Sequence, residues 1–345
     1  MQARRLHYAE ISHVITRTVT KFRSFRNGTL IVVVGAGGEE KYEAEFAQWA
    51  TALVKIADSQ NMKSIVVGQG ETKSETSDRD ELEKILKTES TEAGPLWIVL
   101  IGHGTFDGQS AKFNLHGPDV SAIELRDWLR DCARQLAIVN CASASGPFVN
   151  ALSGKDRVII AATKNGYEMN ATRFGGYFVA ALGQLSADLD KDQQVSLLEA
   201  FLSASNQVAE FYASDGRLAT EHALIDDNGD GQGTPGDWFR GIRVAKQAKD
   251  TKRLPDGPLA HQWHLVPSDF EKSLPAEFRE RRNKIELEIE SLRAGKEQMT
   301  EEQYHAALEP LFSELAEMYK TLEAEIKTEA TDAGPVADED KAGSR

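Results

Sequence analysis

Two reactive side chains, an imidazole and a thiol, stand at the ends of two apolar runs. His103 follows the run LWIVLIG, and Cys141 follows the run LAIVN. Apolar runs without alternation are typical of strands that are covered on both faces, as in a parallel sheet. Ligands bind beyond the carboxyl ends of such strands, so we expect both side chains to lie at a binding site. A nearby imidazole favours the thiolate of a cysteine and can protonate a departing amine, which is the chemistry of a cysteine nucleophile.

The segment between the two runs predicts a helix. From Ser121 to Ala133 the apolar residues recur at helical spacing, and Ser121 forms a capping box with Glu124. A strand, a helix and a strand in this order make a right-handed crossover, which places the two parallel strands side by side. His103 and Cys141 are therefore expected to be neighbours. The alternative is that one residue is an ordinary turn histidine and the other a small buried side chain.

These residues carry a resemblance to a known family. An apolar block that ends in His-Gly, followed by one that ends in cysteine, resembles the caspase-like cysteine peptidases. Residues 102–108, GHGTFDG, look like the turn and hairpin of the legumain-type branch, which includes the catalytic subunit of the GPI transamidase. The likeness covers residues 29–238 and implies a cysteine endopeptidase with a thioester acyl-enzyme, in which Cys141 is the nucleophile and His103 the general acid. We expect the backbone N–H groups of Gly104 and Cys141 to bind the oxyanion.

The resemblance also implies a substrate pocket. It aligns Glu43, Val139 and Glu168 with positions that line the S1 pocket in the family, and Glu43 stands where legumain-type enzymes carry an arginine. Small residues after Cys141, among them Ser143, leave room for a peptide. A pocket with carboxylates and no arginine predicts a basic residue at P1. The alternative is that both glutamates are solvated, one on a helix face and one in a loop.

Two other functions fit the same residues. If an amine instead of water accepts the acyl group, the same acyl-enzyme makes the protein a transamidase or ligase. The second is an inactive caspase-like interaction scaffold whose C-terminal helices bind a partner. The intact pair of His103 and Cys141 speaks against the scaffold.

A second motif has the spacing of a calcium loop. Residues 226–231 read DDNGDG and match the opening of a calcium-binding loop, which uses oxygen ligands at alternate positions and a glycine for the sharp turn. The candidate ligands are Asp226, Asn228, Asp230 and, at the twelfth position, Asp237. Pro235 and Gly236 interrupt the second half of the loop, so a metal-free turn is the alternative. The Cys-His chemistry itself requires no cofactor.

Composition and charge limit the class of protein. With 345 residues and 41% hydrophobic content, the chain is long enough for one large domain or two modest ones. Its net charge of −14 argues against nucleic acid as a partner, and the resemblance implies a protein or peptide substrate. No apolar stretch reaches the length of about 18 residues that a transmembrane helix needs. The chain as written is expected to be cytoplasmic, and the alternative is export, if the basic residues 1–28 are a targeting segment or the start is mis-chosen.

Strands and helices alternate along residues 29–250, the predicted peptidase domain. This order predicts an α/β fold, a three-layer α/β/α sandwich of caspase-like type with a mostly parallel six-stranded sheet. The strands are expected at Thr29–Val34, Ser64–Val67, Leu96–Ile101, Leu136–Asn140, Arg157–Thr163 and His222–Ile225.

The two ends of the chain differ from this domain in composition and hydrophobic pattern. Residues 1–28 form a basic segment, with apolar residues at roughly helical spacing over residues 6–25. Residues 251–327 are predicted to be a linker and an antiparallel α-helical hairpin, which docks on its own domain or mediates oligomerisation, and residues 328–345 a disordered tail. Two cysteines are too few for a disulfide framework. Cys132 is expected to be a core residue in the middle of a helix.

Overall fold

The computed structural model describes residues 28–69, 76–246 and 254–332, with side chains as far as residue 325. The chain divides into two compact units, one of residues 26–268 and one that includes residues 269–345. The predicted helix at residues 6–25 lies outside the described residues. The predicted domain boundaries stay predictions.

The larger unit alternates strands and helices. Its strands are β1 Thr29–Val34, β2 Lys63–Val67, β3 Leu96–Ile101, β4 Gly104–Phe106, β5 Ala111–Phe113, β6 Val120–Ser121, β7 Leu136–Asn140, β8 Arg157–Ala161, β9 Leu224–Asp226, β10 Thr234–Pro235, β11 Phe239–Arg240 and β12 Arg243–Val244. Its helices are α1 Glu40–Ser59, α2 Asp78–Glu89, α3 Ala122–Trp128, α4 Gly146–Leu152, α5 Phe174–Leu182 and α6 Leu197–Ser214.

A mostly parallel sheet of seven strands lies at the centre of this unit. The strand order is β10-β9-β8-β7-β3-β1-β2. From β2 to β8 every neighbouring pair is parallel, and β9 and β10 are antiparallel to their neighbours. The carboxyl ends of β3 and β7 therefore lie side by side at one edge of the sheet.

Helices cover both faces of the sheet, which explains why the strands read as uninterrupted apolar runs. In β1, Leu30 and Val32 belong to a first core cluster, which includes side chains of α1, α5 and α6. Ile31 and Val33 belong to a second core cluster, which includes side chains of α2, α3 and α4. Successive side chains of a strand point to opposite faces, so a strand between two helical layers must be apolar at every position. The predicted three-layer α/β fold is confirmed.

The sheet has one strand more than the predicted six. The additional strand is β10, where Thr234 and Pro235 pair with Ile225 and Leu224. A two-residue edge strand that contains a proline has no apolar run, so periodicity could not reveal it.

A small antiparallel sheet of β4, β5 and β6 leads from His103 to α3. The capping box of Ser121 and Glu124 opens α3 as predicted, but the helix ends at Trp128, earlier than Ala133. The expectation that Cys132 lies in mid-helix is therefore wrong. It lies beyond the helix end, half-buried beside the second core cluster.

A buried polar network closes the opposite edge of the sheet, where the parallel strands begin. The Arg134 guanidinium lies 3.2 Å from a Glu89 carboxylate oxygen, and both side chains are 2% exposed. Arg134 also donates to the backbone carbonyls of Gly94, Glu89 and Pro95 at 2.7–2.8 Å. Glu89 accepts in addition from the Thr29 hydroxyl at 2.8 Å and contacts the Lys63 ammonium at 2.5 Å. This network joins the starts of β1 and β2 to the end of α2.

Residues 254–268, which the sequence analysis assigned to the linker, pack on the α/β core. The Trp263 ring lies 5.0 Å from the Trp97 ring of β3 in a T-shaped arrangement. The Trp263 carbonyl accepts a hydrogen bond of 2.7 Å from Leu197 N–H at the start of α6. This segment therefore adds an apolar cover to the first core cluster.

The second unit contains an antiparallel helical hairpin, as predicted. Its helices are α7 Asp269–Ser273, α8 Ala276–Ala294 and α9 Glu301–Asp332, so α9 extends into the predicted tail. Ile285 and Ile289 of α8 pack against Leu308 of α9. Arg281 pairs with Glu314 through two hydrogen bonds of 2.5 and 2.7 Å. No helix within the described residues is both long enough and apolar enough to cross a membrane.

Candidate active site

The topology brings His103 and Cys141 to the same edge of the sheet. Cys141 directly follows β7, and His103 comes two residues after the end of β3. The two strands are neighbours in parallel register, with Leu100 opposite Asn140. Cys141 N–H continues this ladder by donating to the Leu100 carbonyl at 2.9 Å.

Aromatic side chains of α1 hold the His103 ring. Tyr42 and Phe46 both meet it edge-on, with ring centroids 4.8 and 5.2 Å away. Phe46 and Cys141 belong to the same first core cluster, so the imidazole and the thiol both lie on the α1 side of the sheet. The His103 carbonyl also accepts from Asn114 N–H at 3.0 Å, which fixes the backbone at the start of the small sheet.

The Cys141 thiol is closed off in this conformation, with only 1% of the residue exposed. A Cβ atom added to Gly175 would lie 2.9 Å from the Cβ of Cys141 and 2.8 Å from the Trp49 ring, which shows how closely α5 and α1 cover the cysteine. Burial raises the pKa of the Cys141 thiol to about 12. In this closed conformation the sulfur is therefore a thiol near neutral pH, and a thiolate requires that the cover open.

Both amides that the sequence analysis assigned to the oxyanion already have acceptors. Gly104 N–H donates to the Ser143 hydroxyl at 3.0 Å, and that hydroxyl donates to the Gly104 carbonyl at 3.0 Å. A Cβ on Gly104 would lie 2.2 Å from the Ser143 carbonyl oxygen, so only glycine fits there. Ser143 is 3% exposed and joins the backbone of β4 to the loop after β7, which gives it a structural contact in place of the expected pocket-lining position.

The structure places Val139 in the core, one of the positions that the sequence analysis assigned to the substrate pocket. Val139 has no exposed surface and lies between Val99 of β3 and Ile160 of β8. It shares a face with Cys141 because residues two apart in a strand point the same way. Val139 lies two residues before Cys141, inside β7, and is part of the first core cluster.

Glu168 is held by its own surroundings. Its carboxylate accepts from Lys164 N–H at 2.9 Å and from His222 N–H at 3.1 Å, and it lies 2.5 Å from His222 Nδ1. Only 11% of the side chain is exposed. Its backbone carbonyl accepts a hydrogen bond of 2.8 Å from Ala144 N–H, three residues after Cys141. The expectation of a free carboxylate aimed at a substrate is not met.

Glu43 lies in the first turn of α1, beside Tyr42. Its side chain is 47% exposed, and its carboxylate accepts from Gly37 N–H at 2.8 Å. His116 Nε2 lies 3.6 Å from the same oxygen. Glu43 thus keeps an accessible carboxylate on the helix that carries the rings around His103.

The sequence analysis missed the aromatic residues that surround the pair. Tyr42, Phe46 and Trp49 are spaced by four and three residues, so they lie on one face of α1. That spacing is a helical signal which the sequence itself carries. What the sequence does not show is that this face meets the ends of β3 and β7.

The structure does not gather the predicted calcium ligands. Within the described residues, Asp226, Asp230 and Asp237 do not form a group whose ligand atoms all lie within 4.8 Å of one another. The β9–β10 pairing carries the chain away from the turn, and Asp237 lies 3.6 Å from the Lys246 ammonium. The Asp226 carboxylate accepts from the N–H groups of Gly229 and Gly231 at 3.1 Å, and the Asn228 side chain accepts from Asp230 N–H at 2.9 Å.

Another group of carboxylates is gathered instead, ahead of α6. Ligand atoms of Asp188, Asp190 and Asp192 lie within 4.8 Å of one another, and so do those of Asp190, Glu199 and His261. Burial, followed by the negative charge of Asp190, raises the pKa of Asp192 to about 6. Three aspartates at alternate positions, with Glu199 twelfth in the stretch, repeat the spacing noted at Asp226. The sequence analysis overlooked this signal.

The calcium expectation is open to a direct test. Mutual repulsion among these carboxylates falls when a cation lies between them, so we expect CaCl2 added to chelator-treated protein to raise the melting temperature. Asp190→Asn should lose this rise, and Asp230→Asn, in the loop whose ligands are not gathered, should keep it. A melting temperature that is the same with calcium and with chelator would contradict calcium binding at either loop.

Comparisons with known proteins add a limited likeness. No family model matches the sequence, and no curated protein matches it. Among solved structures, the chain is similar to the Drosophila initiator caspase Dronc, with 16% identity and a TM-score of 0.43 over 62% of this chain and 84% of that one. It is also similar to a secreted C11 cysteine protease from Bacteroides thetaiotaomicron, with 12% identity and a TM-score of 0.38 over 58% and 66% of the two chains. The candidate site therefore rests on its own geometry.

Proposed function

We propose that the protein is a cysteine endopeptidase in which Cys141 is the nucleophile and His103 the general acid and base. The observation that supports this proposal best is their position, because both follow neighbouring parallel strands, and the His103 ring contacts Phe46, which shares a core cluster with Cys141. Substrates of open parallel sheets bind at this edge. A thiol and an imidazole there are the two groups that acyl transfer from a peptide requires.

The proposed reaction has two stages. The Cys141 thiolate adds to the carbonyl carbon of the substrate, and the peptide C–N bond breaks as protonated His103 gives a proton to the departing amine. A thioester remains on Cys141. Water then attacks the thioester, His103 takes a proton from the water, and the carboxylic acid leaves as Cys141 is regenerated.

Turnover requires a more open site than the one described. The thiol is covered by Trp49 and α5, and the amide of Gly104 is bonded to the Ser143 hydroxyl. A hydroxyl can turn to another partner, which would release that amide to an oxyanion. We therefore propose that peptide binding opens the cover and frees the Gly104 N–H in the same step.

We propose that any preference for a basic P1 residue comes from Glu43, because the Glu168 carboxylate is already occupied. A panel of fluorogenic peptides tests both the activity and the preference. We expect hydrolysis of arginine and lysine substrates to be faster than that of asparagine and aspartate substrates. Glu43→Gln should lower kcat/KM for the basic substrates about tenfold, the effect of losing one partly desolvated charge pair.

The control for this panel is Glu40→Gln, an exposed change in the same turn of α1, which should leave the preference unchanged. Faster cleavage of asparagine or aspartate substrates would contradict the role of Glu43. No hydrolysis of any peptide by the wild-type protein would contradict the proposed function. An added amine such as glycinamide separates hydrolysis from transamidation by the mass of the product.

A further inference from the structure

The loop that carries Cys141 is held in an unusual backbone conformation. Ala144, three residues after the nucleophile, has φ of 53°, in the left-handed region that a residue with a Cβ rarely adopts. Such a residue persists only when its surroundings hold it. Ala144 is 1% exposed, and its N–H donates to the Glu168 carbonyl at 2.8 Å.

Residues 163–168 form a seat for this loop. The Thr163 hydroxyl accepts from Gly146 N–H at 3.1 Å and pairs with the Ser145 hydroxyl at 3.2 Å. A Cβ on Gly146 would lie 2.4 Å from Asn165 N, so the two segments are in direct backbone contact. The position of the nucleophile loop is therefore coupled to the position of residues 163–168.

His222 holds that seat from the far side. Its N–H and its Nδ1 reach both carboxylate oxygens of Glu168, at 3.1 and 2.5 Å. The Lys164 ammonium lies 3.4 Å from the same carboxylate. Within the described residues, His222 and Lys164 are the titratable side chains that pair with Glu168. The preceding residue, Glu221, accepts from Arg173 N–H and Phe174 N–H, so two consecutive residues hold Glu168, at the end of the seat, and the start of α5.

We propose that His222 is a positioning residue, which acts through Glu168 to hold the backbone of Ala144 and thereby sets the position of Cys141. The contact joins side chains that are 54 residues apart in the sequence. The backbone carbonyl of Glu168 then accepts the hydrogen bond from Ala144 N–H in the nucleophile loop. His222 does not touch the reacting atoms. The inference that His222 positions the thiol for catalysis rests on the proposed function. Its effect on the nucleophile loop can be measured without catalysis.

Two substitutions at the same position test the proposal. His222→Ala removes the side-chain donor to Glu168, whereas His222→Asn keeps an N–H donor close to the position of Nδ1. We expect His222→Ala to lower kcat about tenfold with KM unchanged, and His222→Asn to recover most of the loss, as for removal of one hydrogen bond to a charged group. The melting temperature of the three proteins should be similar, since His222 is partly exposed.

A second readout is independent of peptidase activity. The rate at which iodoacetamide alkylates Cys141, followed by peptide mass mapping, should rise about tenfold in His222→Ala and return towards wild type in His222→Asn, because the covered thiol becomes accessible when the seat loosens. Unchanged alkylation of Cys141 in His222→Ala would overturn the positioning role, whether or not the protein hydrolyses peptides. Altered alkylation with no activity in wild type would overturn the proposed function alone.

Discussion

Replacing Cys141 by alanine is expected to abolish peptide hydrolysis, and replacing His103 by alanine to reduce kcat by about a thousandfold. The thiol forms the bond to the substrate, so without it no acyl-enzyme can exist. The imidazole transfers protons, a contribution of about 10² to 10⁴ in rate. Both effects should appear in kcat/KM for the best peptide of the panel, measured with purified full-length protein.

Cys132→Ala is the matched control for the nucleophile. Cys132 is the other cysteine of the chain and lies half-buried before β7, away from the edge that carries His103. Activity should therefore survive its replacement. Retained activity in Cys141→Ala would show that Cys141 is not the nucleophile. Loss of activity in Cys132→Ala with an unchanged melting curve would contradict the expectation that only Cys141 is required.

The second large effect is expected at the opposite edge of the sheet, where Arg134→Met should reduce the free energy of unfolding by about 3–5 kcal/mol. The substitution removes the guanidinium that contacts Glu89 at 3.2 Å and leaves three backbone carbonyls without that donor. Glu89 keeps its contacts with Lys63 and Thr29, but the loss of several hydrogen bonds to buried groups at once is costly. Urea unfolding followed by tryptophan fluorescence measures the change.

Arg130→Met is the matched control for this arginine. Arg130 lies in the turn after α3, and its pair with Asp127 is exposed, so its replacement should cost at most about 1 kcal/mol. Equal unfolding free energies for Arg130→Met and Arg134→Met would contradict the importance of the buried network. A shared loss of secondary structure in both variants before urea is added would point instead to a general effect of removing charge.

The same network makes stability depend on pH in a stated direction. Burial alone would raise the pKa of Glu89, but the hydrogen bonds from Lys63, Thr29 and Arg134 outweigh it, and the pKa is lowered from its usual 4.5. A carboxyl whose pKa is lower in the folded state contributes stability at pH values above its pKa in the unfolded state. This contribution is lost as pH falls through the folded pKa. Acidification below about pH 4 therefore weakens the junction of β1, β2 and α2.

Much of the fold could be predicted from the sequence because buried parallel strands leave a strong pattern. The bounds of β3 and β7 agree with the prediction at both ends, since Pro95 and Gly102 flank the first apolar run, and Gln135 and Asn140 mark the ends of the second. By contrast, β10 and α4 are short and begin at or near proline or glycine, so their local pattern does not distinguish them from loops.

The candidate site was predictable only as far as topology determines it. Strand order and parallel register suffice to place His103 and Cys141 at one edge. The sequence did not reveal the burial of Val139 or the partners of Glu168, because a position in an alignment does not specify what surrounds it. Glu168 meets His222 across 54 residues, and no local spacing reveals such a contact.

The unequal exposure of the two cysteines gives the protein a built-in labelling site. Cys132 lies half-buried ahead of β7, whereas Cys141 lies covered at the other end of the same strand. A maleimide dye applied to the folded protein should therefore react at Cys132 first, without any need to engineer a cysteine. Light emitted from that dye would report on the core strand from one end while an inhibitor or peptide occupies the other.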